Sequence, residues 1–150
     1  MIRRTRGRMA LCGVLLCLTL AFIWGNSLMG AELSGSISQW LANLLGFTEP
    51  GPAGEPVVTD GLLRKLAHVC EFGYLGFLLS WLARMTRQTP RAHWLAPIVT
   101  GFLCACADET IQLFVPGRGP ALRDVVIDTL GICLGTELMC PISHVKRKIK

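Results

Sequence analysis

Leu63-Arg64-Lys65-Leu66-Ala67-His68-Val69-Cys70-Glu71-Phe72-Gly73-Tyr74-Leu75-Gly76-Phe77-Leu78-Leu79-Ser80-Trp81-Leu82 decides how this chain folds. From Leu66 onward it is an apolar run of the length that crosses hydrocarbon as one helix. Its first turns nevertheless carry Lys65, His68 and Glu71, three residues apart and so on one helix face, each about 4.5 Å deeper than the last. Ionisable groups inside a membrane helix cost roughly 2.5 to 3.5 kcal/mol each on insertion scales, so they are read as paired, functional or both.

The rest of the chain fits the same solvent. Of 150 residues, 51% are hydrophobic and only 17% charged, and the mean hydropathy is +0.48, too apolar and too short for an ordinary two-domain soluble protein. Four stretches approach the roughly 20 apolar residues that a span needs: residues 9–28, 66–82, 94–114 and 125–142. The expected fold is an all-α membrane protein: one domain over 9–142 with four transmembrane helices, flanked by basic cytoplasmic segments at 1–8 and 143–150.

A formal charge of +5 raises the question of a nucleic-acid partner, and position answers it. Arg3, Arg4, Arg6 and Arg8 precede the first stretch, Arg84, Arg87 and Arg91 join the second to the third, and Lys146, Arg147, Lys148 and Lys150 follow the fourth; together they are eleven of the 15 basic residues. Basic residues accumulate on the cytoplasmic side of membrane helices, so both termini are expected there and no nucleic acid is implied. The basic start and apolar run also fit the first two regions of a secretory signal peptide. The run is long for that role, however, and Met29-Gly30-Ala31 places a bulky residue where cleavage wants a small one, so the helix is expected to remain as an anchor. Arg3-Arg4 reads as a positive flank rather than a twin-arginine signal.

Seven cysteines, Cys12, Cys17, Cys70, Cys104, Cys106, Cys133 and Cys140, lie in or beside the apolar stretches with no C-x-x-C among them. They read as small core residues, because a disulfide framework belongs to core-poor secreted domains and Cys104-x-Cys106 alone does not make a zinc site. Between 30 and 63 the composition turns to Gly, Ser, Pro and acidic residues around Glu49-Pro50-Gly51-Pro52-Ala53-Gly54-Glu55-Pro56, an external loop without regular structure. Ahead of that run Ile37, Trp40, Leu41, Leu44, Leu45 and Phe47 recur at near-helical spacing, the pattern of a short amphipathic helix in the outer interface; the competing reading is an irregular loop.

This topology brings the start of the second span, the end of the third and the start of the fourth to the external side. Lys65, His68 and Glu71 meet Asp108, Glu109 and Gln112 there, together with Asp124 and Asp128, which lie near a positive helix N-terminus. The turn Val115-Pro116-Gly117-Arg118-Gly119-Pro120 holds one guanidinium over the group. Arg118 is expected either to pair with Asp108, Glu109 or Asp124, or to capture an anionic ligand.

Several linked motifs then carry a family resemblance: Arg64-Lys65-Leu66-Ala67-His68-x-x-Glu71-Phe72, Asp108-Glu109-x-x-Gln112, Phe114-Val115-Pro116-Gly117-Arg118, and Asp124-x-x-x-Asp128-x-x-Gly131 with Gly135 beyond. With Phe22-Ile23-Trp24-Gly25-Asn26-Ser27 ending the first helix, the chain resembles the VanZ family from about residue 11 to 138; it differs in having Asp128 where the family usually has Asn. The resemblance implies a multi-pass protein of the bacterial inner membrane. It also implies a kinship with proteins associated with resistance to teicoplanin, a lipoglycopeptide acting on wall precursors. It implies no mechanism.

The residues support three readings. In the first, the external site binds a lipid-linked or anionic envelope molecule or the lipoglycopeptide, held by Lys65, Gln112, Arg118 and Asp128, with Trp40 against acyl chains. In the second, it is an active site: His68, Glu71, Asp108, Glu109 and Asp124 are the acid-base candidates and Lys65 and Arg118 stabilise an anion, although no nucleophile signature is present. In the third, Lys65, Glu71, Asp108, Arg118 and Asp124 form an ion network that only locks helices, poor return for desolvating so many charges. His68 and the carboxylates suit zinc or manganese, but no H-E-x-x-H spacing occurs and Lys65 and Arg118 repel cations, so neither metal nor cofactor is expected. Gly131-x-x-x-Gly135, with Gly73 and Gly76, marks a close helix contact, expected within the chain, with a homodimer contact as the alternative.

Overall fold

The computed structural model describes residues 2–46, 48–50, 56–58, 60–86, 89–119 and 121–148. Phe47, residues 51–55, Arg87, Pro120 and Lys150, on which the reading above also draws, lie outside the described residues. Five helices follow in order: α1 (Ile2–Leu28), α2 (Ala31–Leu45), α3 (Asp60–Met85), α4 (Pro90–Gln112) and α5 (Leu122–Lys148). A helix does form ahead of the proline run: α2, fifteen residues long, with Leu33, Ile37, Trp40 and Leu44 exposed.

The loop after α2 is more regular than expected. β1 (Thr48–Pro50) and β2 (Pro56–Val58) pair antiparallel, Thr48 opposite Val58 and Glu49 opposite Val57. Pro50 and Pro56 face each other at the end of this ladder, where a missing N–H is tolerated.

Among the described residues three helices are long and apolar enough to cross a membrane: Thr5–Leu28, Leu63–Met85 and Arg91–Gln112. The 27-residue α5 is long enough but carries Asp124, Asp128 and Glu137, and is not one of the three. Polarity runs opposite to that of a soluble protein: Val14, Leu18, Phe22, Val99, Leu103, Leu130 and Leu134 are exposed, whereas Ser27, Asp108, Gln112 and Asp128 are buried. Within helices Thr19, Thr110 and Thr129 donate back to the carbonyls of Leu15, Cys106 and Val125, which satisfies hydroxyls that no water reaches in lipid.

Local chemistry sets the boundaries around the site. Thr89 caps α4 by accepting from the Ala92 N–H at 3.3 Å, and a proline follows it in the first turn. The helix stops at Gln112, two residues earlier than the 94–114 stretch suggests. Beyond it the Arg118 N–H bonds the Val115 carbonyl at 3.2 Å across Pro116 and Gly117, and Gly117 has φ +78°. Proline followed by a positive-φ glycine is the chemistry of a type II turn, which reverses the chain into α5.

The core is a seam of Phe72, Leu75, Leu78, Ala105 and Ile132, with Cys12, Leu16 and Ile23 closing one side. Along it α3 and α5 meet backbone to backbone. A Cβ on Gly135 would fall 1.8 Å from the Gly73 carbonyl oxygen, and one on Gly131 2.8 Å from that of Val69. The small-residue stripe is thus used inside the chain. Among the described cysteines Cys12 is buried in the core and Cys104 and Cys106 pack against it; Cys17 and Cys70 point outward, a departure from the expected burial that costs little in a protein whose outer surface is apolar.

Candidate functional site

One end of the bundle collects the C-terminal end of α1, the first turns of α3, the last turns of α4 and the start of α5. Asp108 lies at its centre, fully buried. Ser27 Oγ donates to its Oδ1 at 2.6 Å and Gln112 Nε2 to its Oδ2 at 2.9 Å, while Gln112 also reaches Ser27 Oγ at 3.4 Å. The i, i+4 spacing of Asp108 and Gln112 places the amide beside the carboxylate on one face of α4.

Across from it His68 Nδ1 lies 3.2 Å from Asp128 Oδ1, α3 against α5. Asp128 is also fully buried, and its Oδ2 has no hydrogen-bond partner. Glu71, one turn deeper on α3, accepts from Asn26 Nδ2 at 3.0 Å. The five residues His68, Glu71, Asp108, Gln112 and Asp128 therefore form one group, as the sequence suggests, and donor atoms of His68, Asp108 and Asp128 all lie within 4.8 Å of one another.

Three other candidates play different parts. Glu109 turns away and accepts the Ala121 N–H at 2.8 Å, which holds the start of α5. Arg118 pairs with none of the carboxylates expected for it; its Nη2 donates to the Asn26 backbone carbonyl at 3.0 Å, tying the α4–α5 turn to α1. Burial, and then the nearby Arg64, hold its pKa below the ordinary arginine value. Asp124 lies at the mouth of the group, 3.9 Å from the exposed Arg123 guanidinium.

Apart from that exposed pair, His68–Asp128 is the only ion pair among the described residues. Lys65, Glu71, Asp108 and Arg118 make none, so neutral donors hold the buried carboxylates here. A narrow cleft lined by Arg64, Lys65, His68, Gln112, Asp124, Ile127 and Asp128 opens from the group to the outside. Its cavity of about 10 Å³ has room for a single guest the size of a water. Asn26 and Ser27 are the partners that site prediction missed, although two adjacent polar residues at the end of an apolar helix were a visible signal. Arg64, quoted only within a motif, proves to line the cleft.

Apolar helices closed at one end by a buried polar network define an integral membrane protein with a polar site at one end of its helix bundle. The chain belongs to the VanZ/LLP1 family, whose model matches residues 10–143, most of its length. No curated protein and no solved structure matches it.

Proposed function

We propose that this protein binds the anionic headgroup of a lipid-linked envelope molecule at the external face of the bacterial inner membrane. The observation that carries the reading is the position of Arg64 and Lys65, two cations lining a cleft that reaches His68 and Asp128. They suit a phosphate or carboxylate at the mouth, while the small cavity behind them leaves the bulk of such a ligand in the bilayer interface. Trp40 and Leu44, exposed on α2, suit its acyl portion.

The membrane arrangement in this proposal has four spans and cytoplasmic termini. Supporting it, Val126, Leu130, Leu134 and Leu138 form an i, i+4 stripe along α5, each more than half exposed, an outer face suited to lipid. The basic residues at 3–8, 84–91 and 146–150 then share one side. The ligand class includes wall precursors and the lipoglycopeptide teicoplanin, and protection against that antibiotic is the phenotype proposed.

Nanodisc-embedded protein titrated with a polyprenyl diphosphate tests the binding. Saturable binding that weakens about tenfold or more in Arg64→Gln/Lys65→Gln supports it; binding indifferent to both charges would sink it. The His68–Asp128 contact favours a second reading, in which His68 works as acid or base held in orientation by the carboxylate. Conversion of the bound diphosphate, followed by mass spectrometry, separates the two.

A further inference from the structure

We propose that His68, Asp108 and Asp128 form a binding site for one divalent transition-metal ion, zinc or manganese, at the inner end of the cleft.

Geometry comes first. The three residues come from three different helices, and each offers a donor atom within 4.8 Å of the others. The His68 Nδ1 to Asp128 Oδ1 separation of 3.2 Å is close to the edge between neighbouring ligands of a tetrahedral zinc, about 3.4 Å for bonds near 2.1 Å. A single ion spans the group after small side-chain adjustments.

Asp128 supplies the second observation. It is fully buried, yet its Oδ2 has no partner, beside a second carboxylate that is fully buried as well. A buried carboxylate oxygen needs a donor, a proton or a cation, because leaving it unsatisfied costs about 1 to 3 kcal/mol and more when charged. Of the two buried aspartates only Asp128 faces an imidazole, that of His68, whose Nδ1 is a metal donor when unprotonated.

The surroundings of Asp108 are those of a metal ligand. Ser27 and Gln112 each donate to one of its oxygens, which fixes the carboxylate plane while leaving each oxygen a further lone pair. Donors of this kind orient ligands and govern affinity. The cleft gives access and has room for a water or a ligand oxygen as the remaining ligand. The repulsion expected from the cations is smaller than the sequence suggests. Arg118 is engaged at the Asn26 carbonyl, and Lys65 and Arg64 share the cleft with the carboxylates of Asp124 and Asp128. One imidazole with two carboxylates selects zinc or manganese over magnesium and calcium, which favour all-oxygen sites.

The cation inference stands on these distances alone. Only its corollary, that the ion meets the headgroup anion at the cleft, rests on the function proposed above. The test is elemental analysis of full-length protein purified without chelator, followed by zinc or manganese titration of chelator-stripped protein in zwitterionic nanodiscs free of anionic lipid. One ion per chain is expected, with affinity lowered at least about tenfold in Asp128→Asn, His68→Gln and Ser27→Ala and unchanged in Arg123→Gln. Circular dichroism identifies any variant that fails to fold, and the others then decide. The inference is overturned if wild-type protein shows no saturable uptake below millimolar metal, or if the folded variants bind as wild type, a result that leaves a proton as the occupant. Neither result bears on diphosphate binding at Arg64 and Lys65.

Discussion

Ser27 Oγ donates to Asp108 Oδ1 at 2.6 Å, joining the last turn of α1 to a buried carboxylate on α4 across 81 residues of sequence. Removing that hydroxyl leaves Asp108 with Gln112 as its single side-chain donor. Ser27→Ala is therefore expected to lower stability by about 1 to 3 kcal/mol, read from denaturant unfolding in detergent. A change under about 0.3 kcal/mol would mean that the Ser27–Asp108 bond adds nothing net to holding α1.

Gly135 faces the Gly73 carbonyl so closely that any side chain collides with backbone. Gly135→Val is expected to destabilise by about 3 kcal/mol or more and to lower membrane levels sharply. Gly30→Ala, with nothing within 4 Å of the new methyl, is expected to accumulate normally. Equal levels of the two would remove the tight α3–α5 seam.

Arg118 holds a backbone carbonyl, so what matters at this position is the reach and fork of its guanidinium. Arg118→Lys keeps the charge and is expected to lose about 1.5 to 3 kcal/mol all the same, with faster proteolysis in the turn after Val115. Wild-type resistance in the lysine variant would show that charge alone suffices there.

Orientation has its own test. In a cysteine-free background, Gly119→Cys is expected to react with a membrane-impermeant thiol reagent in intact cells, and Arg91→Cys only after lysis. The reverse pattern would put the cleft on the cytoplasmic side and end the envelope-ligand proposal.

Glu71→Gln keeps an oxygen acceptor for Asn26 but removes a negative charge beside His68. In a teicoplanin-sensitive Gram-positive host with matched membrane levels, loss of protection is the expected outcome. Identical susceptibility of the wild-type and variant strains would detach Glu71 from the activity.

Much of this site could be read from the sequence because its polar residues interrupt apolar helices at fixed spacings. Lys65-x-x-His68-x-x-Glu71 and Asp108-x-x-x-Gln112 each define a face before any neighbour is known, and Gly131-x-x-x-Gly135 identifies the seam. Spacing along one helix does not give its rotation against the others. Nothing in the sequence alone shows that Asp108 would be held by neutral Ser27 and Gln112, or that Glu109, one residue further on and also buried, would turn away from the group to hold Ala121. Arg118 misled for a related reason: three nearby carboxylates suggested a charge partner, but the type II turn aims the guanidinium at the end of α1. The ladder of β1 and β2 went unforeseen because prolines normally weaken strands and here sit only where the ladder ends.

The cleft walls are the outer turns of α3 and α5, and the glycine contact lies just beneath them at Val69, Gly73, Gly131 and Gly135. Helices touching backbone to backbone have no side-chain layer through which to slide, so the aperture above them keeps a constant gauge. For the ligand proposed above, the inner end would then act as a sieve already at its final size, sorting by diameter and charge without the ordering cost of a site that must first close around its guest.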